Sequence, residues 1–408
     1  MKRLLRTLVL LLVRIIGAPR SRRSARKQHP VLIRPDHLGD LVMTTPILET
    51  LRNHIPDAHI TMMTGSWSSM VVERHPAINE LITCPFPGFR RVTQKPLAPY
   101  TLLFSTARQL RRGNYDLAIN LRPDFWWGAA LIYLAGIPRR VGYAIKPGTT
   151  FLTHALSFPQ PEHATVSNLR LASAGLEALG HIALEEPFTP QRFPLAFVPS
   201  PEEREWVKER LCQEGIDEQT PLIIIHPGSG AAVKLWRAEA WTSIANTLAT
   251  SQRFAQTPRI VLTGSPAERP LLDEIARDMQ GNPVICAQQS VGQLAALLQR
   301  AQLVLGVDSG PLHLAIAQDT PSLQIFGPTD TRIFGPWGNP ERHVILTSTR
   351  RCPGCPAIPC GRLDFTEEEL ATHPCVRQVG ERQVIEIIDQ LLERQLPGRS
   401  AKGHPISP

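Results

Sequence analysis

Short apolar runs alternate with stretches of helical period along most of this chain. VLIR (31–34), HITMM (59–63), DLAIN (116–120), LIIIH (222–226), RIVLT (259–263), LVLGV (303–307) and SLQIF (322–326) predict strands. Segments 42–54, 101–112, 164–180, 237–250, 267–279 and 290–300 carry helical patterns between them. Fully apolar strands alternating with helices predict parallel sheets covered by helices on both faces. FTPQRFPLAFVPSPEE (188–203) is proline-rich without helical period and reads as a linker. The expected organisation is an arm over 1–29, an α/β domain over 30–190, a linker over 191–203 and a second α/β domain over 204–380. An amphipathic helix over 381–395 and a disordered tail over 396–408 complete it. Two Rossmann-like, doubly wound domains of this kind are expected to face each other across a cleft. Ligands bind such folds beyond the carboxyl ends of the strands, at switch points and helix N-termini.

Composition narrows the class. With 42% hydrophobic and 20% charged residues among 408, the chain is not mainly disordered. No apolar run is long enough to span a bilayer. The formal charge of +8 is concentrated at one end: residues 1–27 hold nine lysines and arginines and no acid. The body therefore carries no basic excess, which argues against nucleic acid as a partner. On a helical wheel, Leu4, Leu5, Leu8, Leu11, Leu12, Ile15 and Ile16 share one half-circle. Lys2, Arg3, Arg6 and Arg14 lie opposite, with Leu10 and Val13 among them. Such a helix suits an anionic membrane surface, and the expected location is cytoplasmic, peripheral on the cytosolic face of the inner membrane. A secretory signal or short anchor is the alternative, although Arg14 interrupts the apolar stretch and no A-x-A-like cleavage site follows.

The loops after the strands carry the candidate chemistry. In RPDHLGDLVMTTPILETL (34–51), Gly39 permits close approach by a ligand, and Asp40 suits either a helix cap or a general base acting on a hydroxyl. Asp36 is a second candidate there. In LIIIHPGSGAAVKLW (222–236), Gly228, Ser229 and Gly230 offer donors to an anion and Lys234 a point charge; a plain turn with a surface lysine is the other reading. In IVLTGSPAERPLL (260–272), Thr263 and Gly264 end a strand, and Glu268 is either a ribose ligand or an ordinary first-turn acid. In LVLGVDSGPLHLAIA (303–317), Asp308, Ser309, Gly310 and His313 surround a helix start. They suit a sugar diphosphate, or else a capped helix with a buried histidine.

Taken together, these segments resemble the ADP-heptose:lipopolysaccharide heptosyltransferases, glycosyltransferase family 9. VLIRPDHLGDLVMTTPIL, NLRPDFWWGAALIYLAGIPRRVGY, IIIHPGSGAAVKLW, VLTGSPAE and GVDSGPLHLAIAQDTPSLQIFGPTD carry the resemblance, which spans about residues 31–395. It implies a GT-B fold, an inverting mechanism and no metal or cofactor required for catalysis. It also implies a nucleotide-diphospho-sugar donor on the C-terminal half and a glycolipid acceptor on the N-terminal half. By the same resemblance Asp40 matches the proposed base, Lys234 the lysine near the donor phosphates, Glu268 a ribose contact, and Asp308, Ser309, Gly310 and His313 the D-[ST]-G-x-x-H donor segment. A long basic arm departs from the better-known members. An epimerase-like enzyme of the same fold and an inactive sugar-nucleotide-binding protein are the competing readings.

Two features stand apart. The loop over 84–100, with Arg90, Arg91 and Lys95, is either an exposed loop or a contact for an anionic glycolipid. Cys352, Cys355, Cys360 and Cys375 lie within 352–375, beginning with C-x2-C. They fit a structural zinc site, with His373 as a spare ligand, or reduced thiols packing a loop.

Overall fold

The computed structural model describes residues 28–395 except 90–94, 159–160, 255, 354 and 356, and of the arm residues 10, 11 and 13 alone. The arm expected to bind a membrane, Arg90, Arg91 and the tail thus fall largely or wholly outside the described residues. The chain divides into two compact units, Met1–Phe197 and Val198–Pro408.

Unit 1 holds a six-stranded parallel sheet: β1 (Pro30–Arg34), β2 (Thr61–Thr64), β3 (Glu80–Thr83), β4 (Leu117–Asn120), β5 (Arg139–Tyr143) and β6 (His154–Leu156), in the order β3-β2-β1-β4-β5-β6. The chain winds outward through β2 and β3, then returns to place β4 beside β1, with Leu32 opposite Ile119. The switch point lies between β1 and β4. Unit 2 repeats the plan with β7 (Leu222–His226), β8 (Arg259–Thr263), β9 (Val284–Cys286), β10 (Leu303–Val307), β11 (Ser322–Phe326) and β12 (His343–Thr347). Their order is β12-β11-β10-β7-β8-β9, so its switch point lies between β7 and β10. Each unit is therefore the doubly wound α/β fold that the pattern predicts.

Central strands form where the sequence is apolar on both pleat faces. Ile223, Ile224 and Ile225 are all fully buried, each such side chain contributing roughly 1.5–3 kcal/mol of burial. The strands absent from the sequence prediction are β3, β5, β6, β9 and β12. Four of them lie at sheet edges, and several carry exposed or charged positions, as in Glu80–Thr83 and His154–Leu156. An edge strand packs less, so its residues lose the uninterrupted apolar signature.

The helix expected over 42–54 is two helices, Leu38–Val42 and Thr45–His54, with Pro46 in the first turn of the second. The first starts immediately after the β1 loop and carries Asp40 inside its first turn. Asp40 is thus not the N-cap: His37 holds that position, without a side-chain capping bond. The helix Pro201–Gln213 opens inside the stretch that reads as a linker, where Ser200 and Glu203 form a capping box. No helix among the described residues is long and apolar enough to cross a membrane.

Candidate active site

In unit 1 the polar residues gather at the β1/β4 switch point. Arg34 ends β1 and is nearly fully buried, so its guanidinium must be satisfied from within. Its Nη1 donates to the Leu121 carbonyl (2.9 Å) and to Asn168 Oδ1 (3.2 Å). Its Nε meets Asp36 at 2.8 Å and its Nη2 reaches Asp40 Oδ1 at 3.3 Å. Asn168, from the helix Ala164–Ala178, also donates to the Met43 carbonyl (3.2 Å), tying that helix to the chain beyond Asp40. Asp36 is buried between Arg34 and Arg122, the latter from the loop after β4.

Asp40 is the less settled of the two carboxylates. Its side chain retains 29% exposure, and its cation partner, Arg34, sits at 3.3 Å. Desolvation, and after it the neighbouring Asp36 charge, raise its pKa above the ordinary carboxylate value; Arg34 and Arg122 pull the other way. Its side chain makes no cap, so it is available to a ligand's proton.

Unit 2 presents a cavity of about 490 Å³ at the β7/β10 switch point. Gly228, Ser229 and Gly230 line one wall, Gly264 and Glu268 a second, and Ser309 and Gly310 a third. Gly228 is there for space: a Cβ on it would lie 2.0 Å from Glu268 Oε1. The other Glu268 oxygen accepts from the Ser265 amide (2.7 Å) and hydroxyl (2.8 Å), so this residue both caps its turn and lines the pocket.

The helix Gly310–Ala317 begins at the cavity with Pro311 in its first turn. Its N-cap Ser309 makes no side-chain capping bond, and the Ser309 Oγ is buried without a hydrogen-bond partner. The Gly310 amide at the positive end of a helix, beside an unpaired hydroxyl, suits an anion. Asp308, almost fully buried, is locked: Lys234 Nζ lies 2.7 Å from its Oδ2, and the Thr329 hydroxyl donates to the same oxygen. Ser229 Oγ donates to the Asp308 carbonyl at 3.3 Å, joining the β7 and β10 loops.

A model of glycosyltransferase family 9 (heptosyltransferase) matches residues 103–360. The chain belongs to that family. It is a glycosyltransferase, which decides against the epimerase-like reading. Lipopolysaccharide heptosyltransferase 3 of Escherichia coli is 27% identical over 371 residues, covering 89% of this chain and 98% of that protein. Among solved structures, a glycosyl transferase family 9 protein from Veillonella parvula superposes with a TM-score of 0.71 at 23% identity, covering 91% of this chain and 99% of that one. E. coli ADP-heptose lps heptosyltransferase II gives a TM-score of 0.67 at 20% identity, with 90% and 99% covered. These likenesses establish the GT-B class of fold for this family 9 chain.

Within this glycosyltransferase, the sequence-selected residues separate by position. Gly228, Ser229, Gly230, Gly264, Glu268, Ser309 and Gly310 line the unit 2 cavity. Thr263 does not line it: it is fully buried beneath and pairs with His226 Nδ1 at 3.0 Å. Burial holds His226 neutral, with its pKa lowered to about 4. His313 is buried on the helix Gly310–Ala317, while Lys234 and Asp308 sit behind the cavity wall as a pair. Gly39 and Asp40 belong to unit 1. Sequence reasoning missed Arg34, Arg122, Asn168 and Thr329. Arg34, Arg122 and Thr329 all stand in quoted family segments, where "RPD" recurs after β1 and after β4 and would have flagged both arginines.

The four cysteines of the late segment share one small enclosed cavity of about 10 Å³ with His373 and Phe365. Burial raises the Cys355 thiol pKa, as it does that of Cys375, pushed to about 12. Among the described residues, the trio of donor atoms all within 4.8 Å of one another lies elsewhere, at His29, His59 and Glu80. There Thr61 donates to Glu80 (3.1 Å) and shares a hydrogen bond with His29 (3.3 Å), a polar network at the amino ends of β1–β3.

Proposed function

We propose that this chain transfers heptose from ADP-heptose to a hydroxyl of a lipopolysaccharide-core glycolipid, with inversion at the anomeric carbon. The names of the E. coli relatives support the sugar, the nucleotide and the acceptor class. The observation that carries the reading in this chain is the unit 2 cavity: an uncapped helix start with the unpaired Ser309 hydroxyl, facing a glycine-rich loop.

The chemistry follows from the residues. The acceptor oxygen attacks the anomeric carbon and gives its proton to Asp40, while the bond from that carbon to the diphosphate breaks. A base with a raised pKa is closer to the hydroxyl it deprotonates, which favours general-base catalysis. Negative charge growing on the leaving diphosphate is met by the amides of Gly228–Gly230 and Gly310, by Ser309 and by the Lys234 ammonium. Glu268 takes the ribose hydroxyls with the oxygen that faces Gly228. His313 stands as a donor to phosphate from the same helix. A lysine and a helix start supply the charge that a divalent cation supplies elsewhere, so no metal is required for turnover.

The arm keeps the enzyme on the cytosolic face of the inner membrane. Leu10 and Val13 pack against the unit 1 core while Leu11 stays 48% exposed. Removing residues 1–27 is expected to release the protein from anionic vesicles; unchanged co-sedimentation would count against this role. The cysteine quartet is read as a structural zinc site. Its four buried or half-buried thiols line one small cavity with His373, and because no three of these ligand atoms lie within 4.8 Å of one another, holding zinc requires them to move together.

The deciding experiment is turnover of ADP-heptose with truncated lipopolysaccharide, for the wild type and Asp40→Asn. The variant should lose about 10²–10⁴-fold in kcat while its thermal shift with ADP is preserved. Transfer retained by Asp40→Asn removes the base assignment, and no transfer by the wild type removes the substrate assignment. With chelator present, turnover should persist while the melting temperature falls.

A further inference from the structure

We propose that His29, His59 and Glu80 form a zinc site that ties together the amino ends of β1, β2 and β3, a site separate from the cysteine quartet of unit 2.

The sheet itself assembles the three ligands. Residues two apart on a strand face the same side, and Val31, Thr61 and Glu80 stand level across β1, β2 and β3. His29 and His59 lie two positions before Val31 and Thr61, and there the His59 amide donates to the Gln28 carbonyl at 3.1 Å. Both imidazoles and the carboxylate therefore belong to one face of neighbouring strands. One donor atom from each lies within 4.8 Å of the other two. His59 Nε2 stands 3.8 Å from Glu80 Oε2. Around a tetrahedral zinc with bonds of about 2.0–2.1 Å, ligand atoms are about 3.3 Å apart. The remaining gap is within reach of a rotamer adjustment by Glu80, whose side chain is 47% exposed.

The surroundings are those of a ligand set rather than of a surface ion pair. His29 is buried, its ring wedged between His59, with centroids 4.7 Å apart at 88°, and Tyr115, at 4.5 Å and 51°. Asp116 holds its backbone from both sides: the His29 amide donates to Asp116 Oδ1 at 2.8 Å, and the His29 carbonyl accepts from the Asp116 amide at 3.2 Å. Thr61 Oγ1 donates to Glu80 Oε2 at 3.1 Å and meets His29 Nε2 at 3.3 Å. One hydroxyl thus steers two of the three ligands, as outer partners of metal ligands do. The His59 and Glu80 side chains both reach solvent, which gives an ion its entry and a water its place as fourth ligand.

The ligand types select the ion. Two imidazoles and a carboxylate suit zinc, whereas magnesium and calcium take oxygen ligands. The site lies at the opposite end of β1 from the loop that carries Asp36 and Asp40, and five strand residues span about 17 Å. Its role is to hold three strands of unit 1 together, with no part in the transfer step.

The test dialyses chelator-treated, full-length protein against micromolar zinc and counts the bound equivalents for wild type, His59→Ala and Glu80→Gln. Each variant should bind about one equivalent fewer than the wild type and gain less in melting temperature when zinc is added. Cobalt(II) separates this site from the cysteines, because thiolates give an intense sulfur-to-metal charge-transfer band and a histidine–carboxylate set gives only weak d–d bands. The cobalt lost in each variant should carry the weak bands and leave any thiolate band unchanged. Equal zinc in all three proteins, or a loss that takes a thiolate band with it, overturns the proposal. Glu80→Gln keeps an acceptor for the Thr61 hydroxyl, so it decides the matter even if His59→Ala fails to fold.

Discussion

The two switch points hold the same ingredients, a carboxylate and a cation after a central strand, yet they are wired oppositely. In unit 2, Asp308 is almost fully buried and closed off by Lys234 at 2.7 Å and by the Thr329 hydroxyl. In unit 1, Asp40 keeps partial exposure, with Arg34 at 3.3 Å and the tighter pairing given to Asp36. A carboxylate oxygen held by both an ammonium and a hydroxyl is a fixture: it orients a lysine. One that is poorly neutralised and partly desolvated holds a proton more readily, as a base must when it receives one. The difference is one of partners, not of residue type, and it is what the proposed holding role of one corner and the proposed proton-accepting role of the other would require.

The strongest way to break this comparison is to open the unit 2 pair. Lys234→Ala is expected to lower kcat by about 10²–10³-fold, since it removes charge from the leaving diphosphate. It also leaves Asp308 as an uncompensated buried carboxylate, at a stability cost of about 3–5 kcal/mol. Asp308→Asn should lose less activity, because the ammonium remains. The double variant should then be far less damaging than the two losses multiplied, because the two groups act as one unit. Steady-state kinetics and urea melts of the three variants check it; fully additive losses would mean that Lys234 and Asp308 work separately.

A milder perturbation sharpens the unit 1 side. Asp36 is the like charge that helps to raise the Asp40 pKa. Asp36→Asn removes that charge and frees two guanidiniums to attract the Asp40 carboxylate, and both changes favour the ionised base. Since the base works only when ionised, the acid limb of the kcat/KM profile should move to lower pH. A pH profile with its acid limb unmoved, in a folded variant, would remove Asp36 as the tuning group.

Much of this was legible in the chain before any coordinates. Ile223–Ile225 and Val304–Leu305 announce buried parallel strands because neither pleat face meets water. The loop glycines and Asp308–Gly310 follow directly, since ligand chemistry in doubly wound folds lies just after such strands. Partner choice was not legible. Nothing in RPDHLGD states that Arg34 turns back to bridge Asp36 and Asp40, or that Asn168, 128 positions after Asp40, would steady that arginine. Such contacts depend on which strands become neighbours. Thr263 shows the same limit: its place at a strand end suggested a ligand contact, and packing instead sealed it against His226.

The gentlest test uses acid rather than mutation. Burial lowers the pKa of His226 and His343 to about 4 in unit 2, and that of His75 to about 4 in unit 1. Each is neutral in both the folded and unfolded chain above its ordinary value of 6.5, so none affects stability there. Between pH 6.5 and about 4 the unfolded chain takes up these protons and the folded one resists. Stability then falls by up to about 1.4 kcal/mol per pH unit for each histidine. Unit 2 carries two of the three and should lose stability more steeply in that window, as pulse-labelled hydrogen exchange over β7 and β10 against β1 and β4 would report. His343→Gln keeps a partner for Ser322 Oγ, which His343 Nδ1 meets at 3.0 Å, and should bring the unit 2 slope down toward that of unit 1. Equal slopes in the wild type would mean that the two units share their acid response, and that the contrast between them is confined to the carboxylates at their switch points.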